Sequence, residues 1–127
     1  MAMIRAEMAD LIGTITLNHD AKRNALSAAL IQEIIAALWD FQEEKARAVI
    51  LRANPGVKVW SAGHDVTELP RSGRDPLAYH DPLEQVIRAI RAFPAPVLAM
   101  IEGSVWGGAC EVALCCDLVV ATPGSQF

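Results

Sequence analysis

The chain has 127 residues, 53% of them apolar and 20% charged, with a formal charge of −4. That length suits one domain with a single modest core, and the apolar share suits buried parallel strands. An acidic balance without any Lys/Arg run or aromatic-basic interleaving argues against a nucleic-acid partner, and no apolar run reaches the length of a membrane span.

Residues 3–8 and 11–18 read as two strands joined by a short step at Ala9-Asp10, which suits a hairpin. Asn18-His19-Asp20 breaks the pattern. Ser27 is the N-cap of a predicted helix running to about Gln42. On it Leu30, Ile31, Ile34, Ile35, Leu38 and Phe41 recur at helical spacing and form one broad face for packing on a sheet. Residues 48–53 form a β-rich run closed by a turn at Asn54-Pro55-Gly56. A glycine-bearing loop follows, Trp60-Ser61-Ala62-Gly63-His64-Asp65, in which Asp65 is expected to cap a short helix from Val66.

Residues 70–82 carry three prolines and a glycine among polar residues and read as a loop. Asp81 as N-cap, Pro82 at the first helical position and Glu84 three residues after the cap announce the next helix. Its apolar positions are Leu83, Val86, Ile87 and Ile90, and Phe93-Pro94-Ala95-Pro96 stops it. Residues 97–101 are a predicted strand. The second glycine loop is Glu102-Gly103-Ser104-Val105-Trp106-Gly107-Gly108, leading into a helix over 108–116 and a last strand over 118–121. Strands alternating with helices predict an α/β fold with mostly parallel pairing.

The two loops carry the chemistry. Each follows a short apolar run that reads as a buried strand, and glycines let the backbone approach a ligand with N–H groups turned towards it. Two such loops face to face can offer two N–H donors to one oxygen, which is an oxyanion hole. A carboxylate, Glu111, stands three residues past Gly108. The three cysteines, Cys110, Cys115 and Cys116, lie in one apolar segment without a histidine at metal-ligand spacing. They read as small core residues in a reducing compartment, so no metal is expected.

The segments Leu17-Asn18, Asn24-Ala25-Leu26-Ser27, Ser61-Ala62-Gly63-His64-Asp65, Glu102-Gly103, Gly107-Gly108-Ala109-Cys110-Glu111 and Asp117-Leu118 together resemble the crotonase family, the enoyl-CoA hydratase/isomerase superfamily. The resemblance covers essentially residues 1–127, read as the N-terminal part of a crotonase-like acyl-CoA-binding domain whose C-terminal half is absent. Within the family, His64 after Ala62-Gly63, the stretch from Glu68 to Leu77 and the run from Glu102 to Gly108 resemble the methylmalonyl-CoA decarboxylase branch.

The resemblance implies a crotonase-like ββα-spiral, N-terminal portion only. It implies a lyase that holds the enolate of an acyl-CoA thioester on the backbone N–H groups of His64 and Gly108. Enoyl-CoA hydratase or isomerase activity is the alternative, and a catalytically incomplete fragment with a coenzyme A-binding or assembly role is a third. Glu111 falls at the family's first catalytic glutamate and is expected to face the pocket. Coenzyme A contacts are implied for Lys22, Arg23, Ala25, Ser61 and Ala62. Trp60 and Trp106 either line the channel or pack in the core. The side chain of His64 is open between proton donation, phosphate binding and packing. Coenzyme A enters as part of the substrate, with no covalently bound cofactor. The expected setting is cytoplasmic. The expected assembly is a homo-oligomer, trimer or hexamer in the family, or a swapped or complementing chain.

Overall fold

In the computed structural model, which describes residues 2–68 and 79–127, seven strands and three α-helices alternate along the chain. The antiparallel hairpin of β1 (Ile4–Ala9) and β2 (Ile12–Leu17) is followed by α1 (Ala28–Glu43), β3 (Ala48–Ala53) and β4 (Val59–Ser61). Then come α2 (Pro82–Ala92), β5 (Val97–Ile101), β6 (Ser104–Val105), α3 (Gly108–Cys115) and β7 (Leu118–Ala121). The main sheet has the order β1-β2-β3-β5-β7, and β4 pairs with β6 in a small second sheet. Every pairing except β1–β2 is parallel. Parallel neighbours need crossovers, and α1, α2 and α3 lie within the β2–β3, β3–β5 and β5–β7 connections.

The hairpin turn lies one residue later than the sequence reading placed it. Ala9 pairs with Ile12, so Asp10-Leu11 is the two-residue loop. Both have positive φ, 51° and 63°, as the right-handed twist of the flanking strands requires of such a loop. Leu11 is an unusual residue there, so the loop carries no Asn-Gly or Asp-Gly signal.

The caps behave as anticipated. Ser27 accepts the Leu30 N–H, and Asp81 accepts the Leu83 N–H with Pro82 in the first turn. Among the described residues Glu84 returns no bond to the Asp81 N–H, so that cap is one-sided. α1 ends with Lys45 at φ 61°, and the Ala46 and Lys45 N–H groups bond back to Phe41 and Gln42. This left-handed closure satisfies carbonyls that the last helical turn leaves free.

Leu30, Ile31, Ile34, Leu38 and Phe41 of α1 are buried, joined by Ala37, and Ile35 packs at the margin. Gly13 on β2 has no side chain between sheet and helix: a Cβ there would lie 2.5 Å from the Phe41 ring. Leu83, Val86 and Ile90 of α2 and Val112 of α3 complete the core with Val49, Leu51, Val97 and Ile101 of the sheet. Each such side chain contributes about 1.5–3 kcal/mol on burial. The predicted strand over 118–121 forms, but β7 is exposed along its whole length, with Leu118 at 59% and Val120 at 55%. The expected loop over 70–82 lies largely outside the described residues, as does most of the stretch from Glu68 to Leu77.

Candidate functional site

Three backbone segments run side by side at the site. The 23–26 segment meets the first glycine loop through Ala62 N–H to the Arg23 carbonyl, 2.9 Å, and Leu26 N–H to the Gly63 carbonyl, 2.8 Å. The second loop joins from the other side through Trp106 N–H to the Ser61 carbonyl, 3.1 Å. The β4–β6 pairing, which the sequence reading did not foresee, puts the second loop beside the first. Asn24 is wholly buried at the centre. Its Oδ1 accepts the His19 N–H at 2.8 Å and its Nδ2 donates to the Trp60 carbonyl at 3.0 Å. The Ser61 hydroxyl donates to the Asn24 carbonyl at 2.7 Å and accepts the Gly63 N–H at 3.2 Å.

Gly63 has φ 89°, and a Cβ there would strike the Trp106 carbonyl oxygen and lie 3.1 Å from the Gly108 nitrogen. Only glycine lets the two loops approach this closely. A Cβ on Gly108 would lie 3.6 Å from the His64 nitrogen. The His64 and Gly108 backbone nitrogens therefore lie close together where the two loops meet. Neither donates to any acceptor among the described residues. Gly108 is the first residue of α3, where the helix leaves its N–H groups free and adds partial positive charge.

The His64 ring is mostly enclosed. Its Nε2 lies 3.3 Å from Asp81 Oδ1 and its Nδ1 3.2 Å from the Asp65 carbonyl oxygen. Asp65 in turn caps the 66–68 turn: its Oδ1 accepts from the Thr67 N–H and hydroxyl, and these bonds hold its carboxyl below the ordinary carboxylate range.

Other positions depart from the sequence reading. Glu111 is exposed, because α3 turns Ala109, Val112 and Ala113 inward and leaves Glu111 and Leu114 outside. The expected pocket-facing carboxylate is thus not enclosed by these residues. The Ser61 hydroxyl is occupied within the loop scaffold and is not free for a ligand, and the Ala62 N–H is likewise taken. Trp60 belongs to the core: it is 1% exposed and its Nε1 donates to the Met100 carbonyl at 2.9 Å. Trp106 is half exposed beside Gly107 and stays available to a ligand.

Lys22 and Arg23 are exposed, and Ala25 is half-buried. Arg23 lines a cleft of about 400 Å³ with Asp20, Lys58 and the 55–57 turn. Two cations against one carboxylate make this an anion-tolerant surface. His64 and Gly108 do not line it. Lys58 was missed because an isolated lysine after a turn carries no periodic or motif signal. Asp81 was recognised only as a cap, since its approach to His64 spans 17 residues.

Among the described residues no three His, Cys, Asp or Glu side chains converge as metal ligands, and no helix is long and apolar enough to cross a membrane. The Cys115 thiol is held below the usual range by the neighbouring Cys116 thiol. The Cys115 thiol and burial push Cys116 up.

The family model described as enoyl-CoA hydratase/isomerase matches residues 7–127. The chain belongs to the enoyl-CoA hydratase/isomerase family. It is 49% identical to the methylmalonyl-CoA decarboxylase of Escherichia coli (strain K12) over 91% of this chain and 44% of that protein. A crystal structure of methylmalonyl-CoA decarboxylase complexed with 2S-carboxypropyl-CoA superposes with a TM-score of 0.93 at 45% identity, covering 98% of this chain and 48% of that one. A 4-chlorobenzoyl coenzyme A dehalogenase of Arthrobacter sp is 32% identical over 98% of this chain and 46% of its own. The fold is the crotonase fold of this enoyl-CoA hydratase/isomerase family, and the chain spans about half the length of the relatives it matches.

Proposed function

We propose that this chain acts on a malonyl-type coenzyme A thioester, converting methylmalonyl-CoA to propionyl-CoA. The observation that carries this reading is the closely spaced pair of unengaged N–H groups on His64 and Gly108. The thioester oxygen sits between them. The bond from the α-carbon to the carboxylate breaks, carbon dioxide leaves, and its electron pair passes through the α-carbon onto that oxygen. A proton then adds to the α-carbon. The hole stabilises the enolate most where charge is greatest, and losing one such donor costs about a hundredfold to a thousandfold in rate. Similarity to the decarboxylase supports this acyl group over an enoyl substrate.

Arg23, Lys22 and Lys58 serve as anchors for the coenzyme A phosphates, and Trp106 and the Ala25 backbone flank the thioester arm. Coenzyme A arrives with the substrate and no other cofactor takes part. The working form is an assembly, a homo-oligomer or a pairing with a complementing chain, in which another surface covers Leu118 and Val120. The free thiols fit a cytoplasmic setting.

The test is mass spectrometry of coenzyme A products, with methylmalonyl-CoA and crotonyl-CoA offered separately. Propionyl-CoA formation that Gly108→Pro abolishes is the expected result. Proline is tolerated at a first helical position and removes the donor N–H, and its ring also crowds the space beside the His64 nitrogen. Water addition to crotonyl-CoA instead would assign hydratase chemistry. Inertness towards both would leave the chain a binding or assembly fragment.

A further inference from the structure

The first turn of α2 touches the two donors by separate routes. Asp81 Oδ1 accepts the Leu83 N–H at 2.9 Å as the helix cap and also lies 3.3 Å from His64 Nε2. Two residues on, Leu83 is buried, and its Cδ2 lies 2.9 Å from where a Gly108 Cβ would stand. One turn of helix therefore abuts both glycine loops.

Each ring nitrogen of His64 faces an oxygen acceptor, and the tautomer with its proton on Nε2 donates to Asp81. Asp65 offers a carbonyl oxygen and Asp81 a carboxylate oxygen, and the His64 and Asp81 side chains are only 12% and 9% exposed. Hydrogen bonds to an ionised partner are stronger than neutral ones, and the more so out of water. A cap alone needs no histidine beside it, because Asp81 already satisfies the Leu83 N–H.

We propose that Asp81 is a positioning residue for the oxyanion hole. Through the His64 ring it immobilises the backbone that carries the His64 N–H, while Leu83 seats Gly108, so the separation of the donors is set by the α2 N-terminus. The inference rests on reading those two N–H groups as the hole.

The experiment measures backbone ¹⁵N order parameters and steady-state kinetics on Asp81→Ser, Asp81→Asn and His64→Ala. Serine still caps the helix but is too short to reach the ring, and asparagine keeps an oxygen at the same place. In Asp81→Ser and His64→Ala the order parameter at residue 64 falls from about 0.85 towards 0.6, while Val86 and Ile90 in α2 hold theirs. Asp81→Asn returns it close to the wild-type value. Turnover of methylmalonyl-CoA follows, with kcat down tenfold or more in Asp81→Ser and His64→Ala and KM little changed. Rigid values at residue 64 in both variants would overturn the proposal and leave Asp81 a helix cap. If Asp81→Ser loosens all of α2, His64→Ala decides, since it leaves the cap untouched. If wild-type protein makes no propionyl-CoA, the proposed function fails, and the order parameters still decide the role of Asp81.

Discussion

Asn24 and Ser61 lie 37 residues apart and are joined by a 2.7 Å bond from the Ser61 hydroxyl to the Asn24 carbonyl oxygen. Both side chains are wholly buried. Asn24 also holds φ at 51°, a left-handed conformation that asparagine tolerates better than most residues. This polar knot ties the 23–26 segment to the first glycine loop, so the site is built on a scaffold with its hydrogen bonds filled.

Asn24→Ala should therefore destabilise sharply. It leaves the His19 N–H and the Trp60 carbonyl without their partners. A buried group left unpaired costs about 1–3 kcal/mol. Two such groups predict a loss of about 2–6 kcal/mol, checked by urea denaturation with an unchanged slope.

Alanine at the two site glycines should separate folding from function. Gly63→Ala meets a backbone oxygen at φ 89°, and the expected outcome is insoluble or poorly folded protein. Gly108→Ala meets only the movable end of Leu83, at 2.9 Å, but sets a methyl 3.6 Å from the His64 nitrogen, within the space for the substrate oxygen. Its melting temperature should stay near wild type while turnover drops. Circular dichroism melts beside product assays distinguish the two.

The Asp65 carboxyl should titrate low for a reason that can be removed. Its folded value lies below the ordinary 3.8, chiefly through the Thr67 hydroxyl and then the Thr67 N–H. A depressed carboxylate adds stability that is complete above its unfolded value and is lost as pH falls through its folded one. Thr67→Val keeps the N–H and deletes the hydroxyl. The Asp65 titration followed by ¹³C NMR should move up towards 3.8 without reaching it, and the acid limb of stability should shift upward with it.

Alkylation should discriminate between adjacent thiols. Cys115 is half-buried, and its thiol is lowered by the neighbouring thiol of Cys116, which is buried and pushed up. The thiolate is the reacting form. With iodoacetamide at neutral pH, peptide mapping should find Cys115 modified well before Cys116. Cys116→Ala should slow modification of Cys115 by removing the neighbouring thiol that lowers it.

Local patterns were legible wherever a single segment decided the outcome. The α1 stripe, the Ser27 and Asp81 caps, the 48–53 strand and the positive-φ glycine loops all follow from helical spacing, backbone sterics and short-range hydrogen bonds. The two glycine loops likewise carried the family resemblance before any pairing between them was known.

What required the tertiary structure was every contact between segments far apart in the chain. The β4–β6 pairing brings Gly63 and Gly108 together, Ser61 turns its hydroxyl inward to Asn24, and the α3 register leaves Glu111 outside. The link from Asp81 to His64 belongs to the same class. A sequence states which conformations each segment prefers. Which side chain meets which across the fold depends on register and packing, and these are settled only when the sheet and helices close on one another.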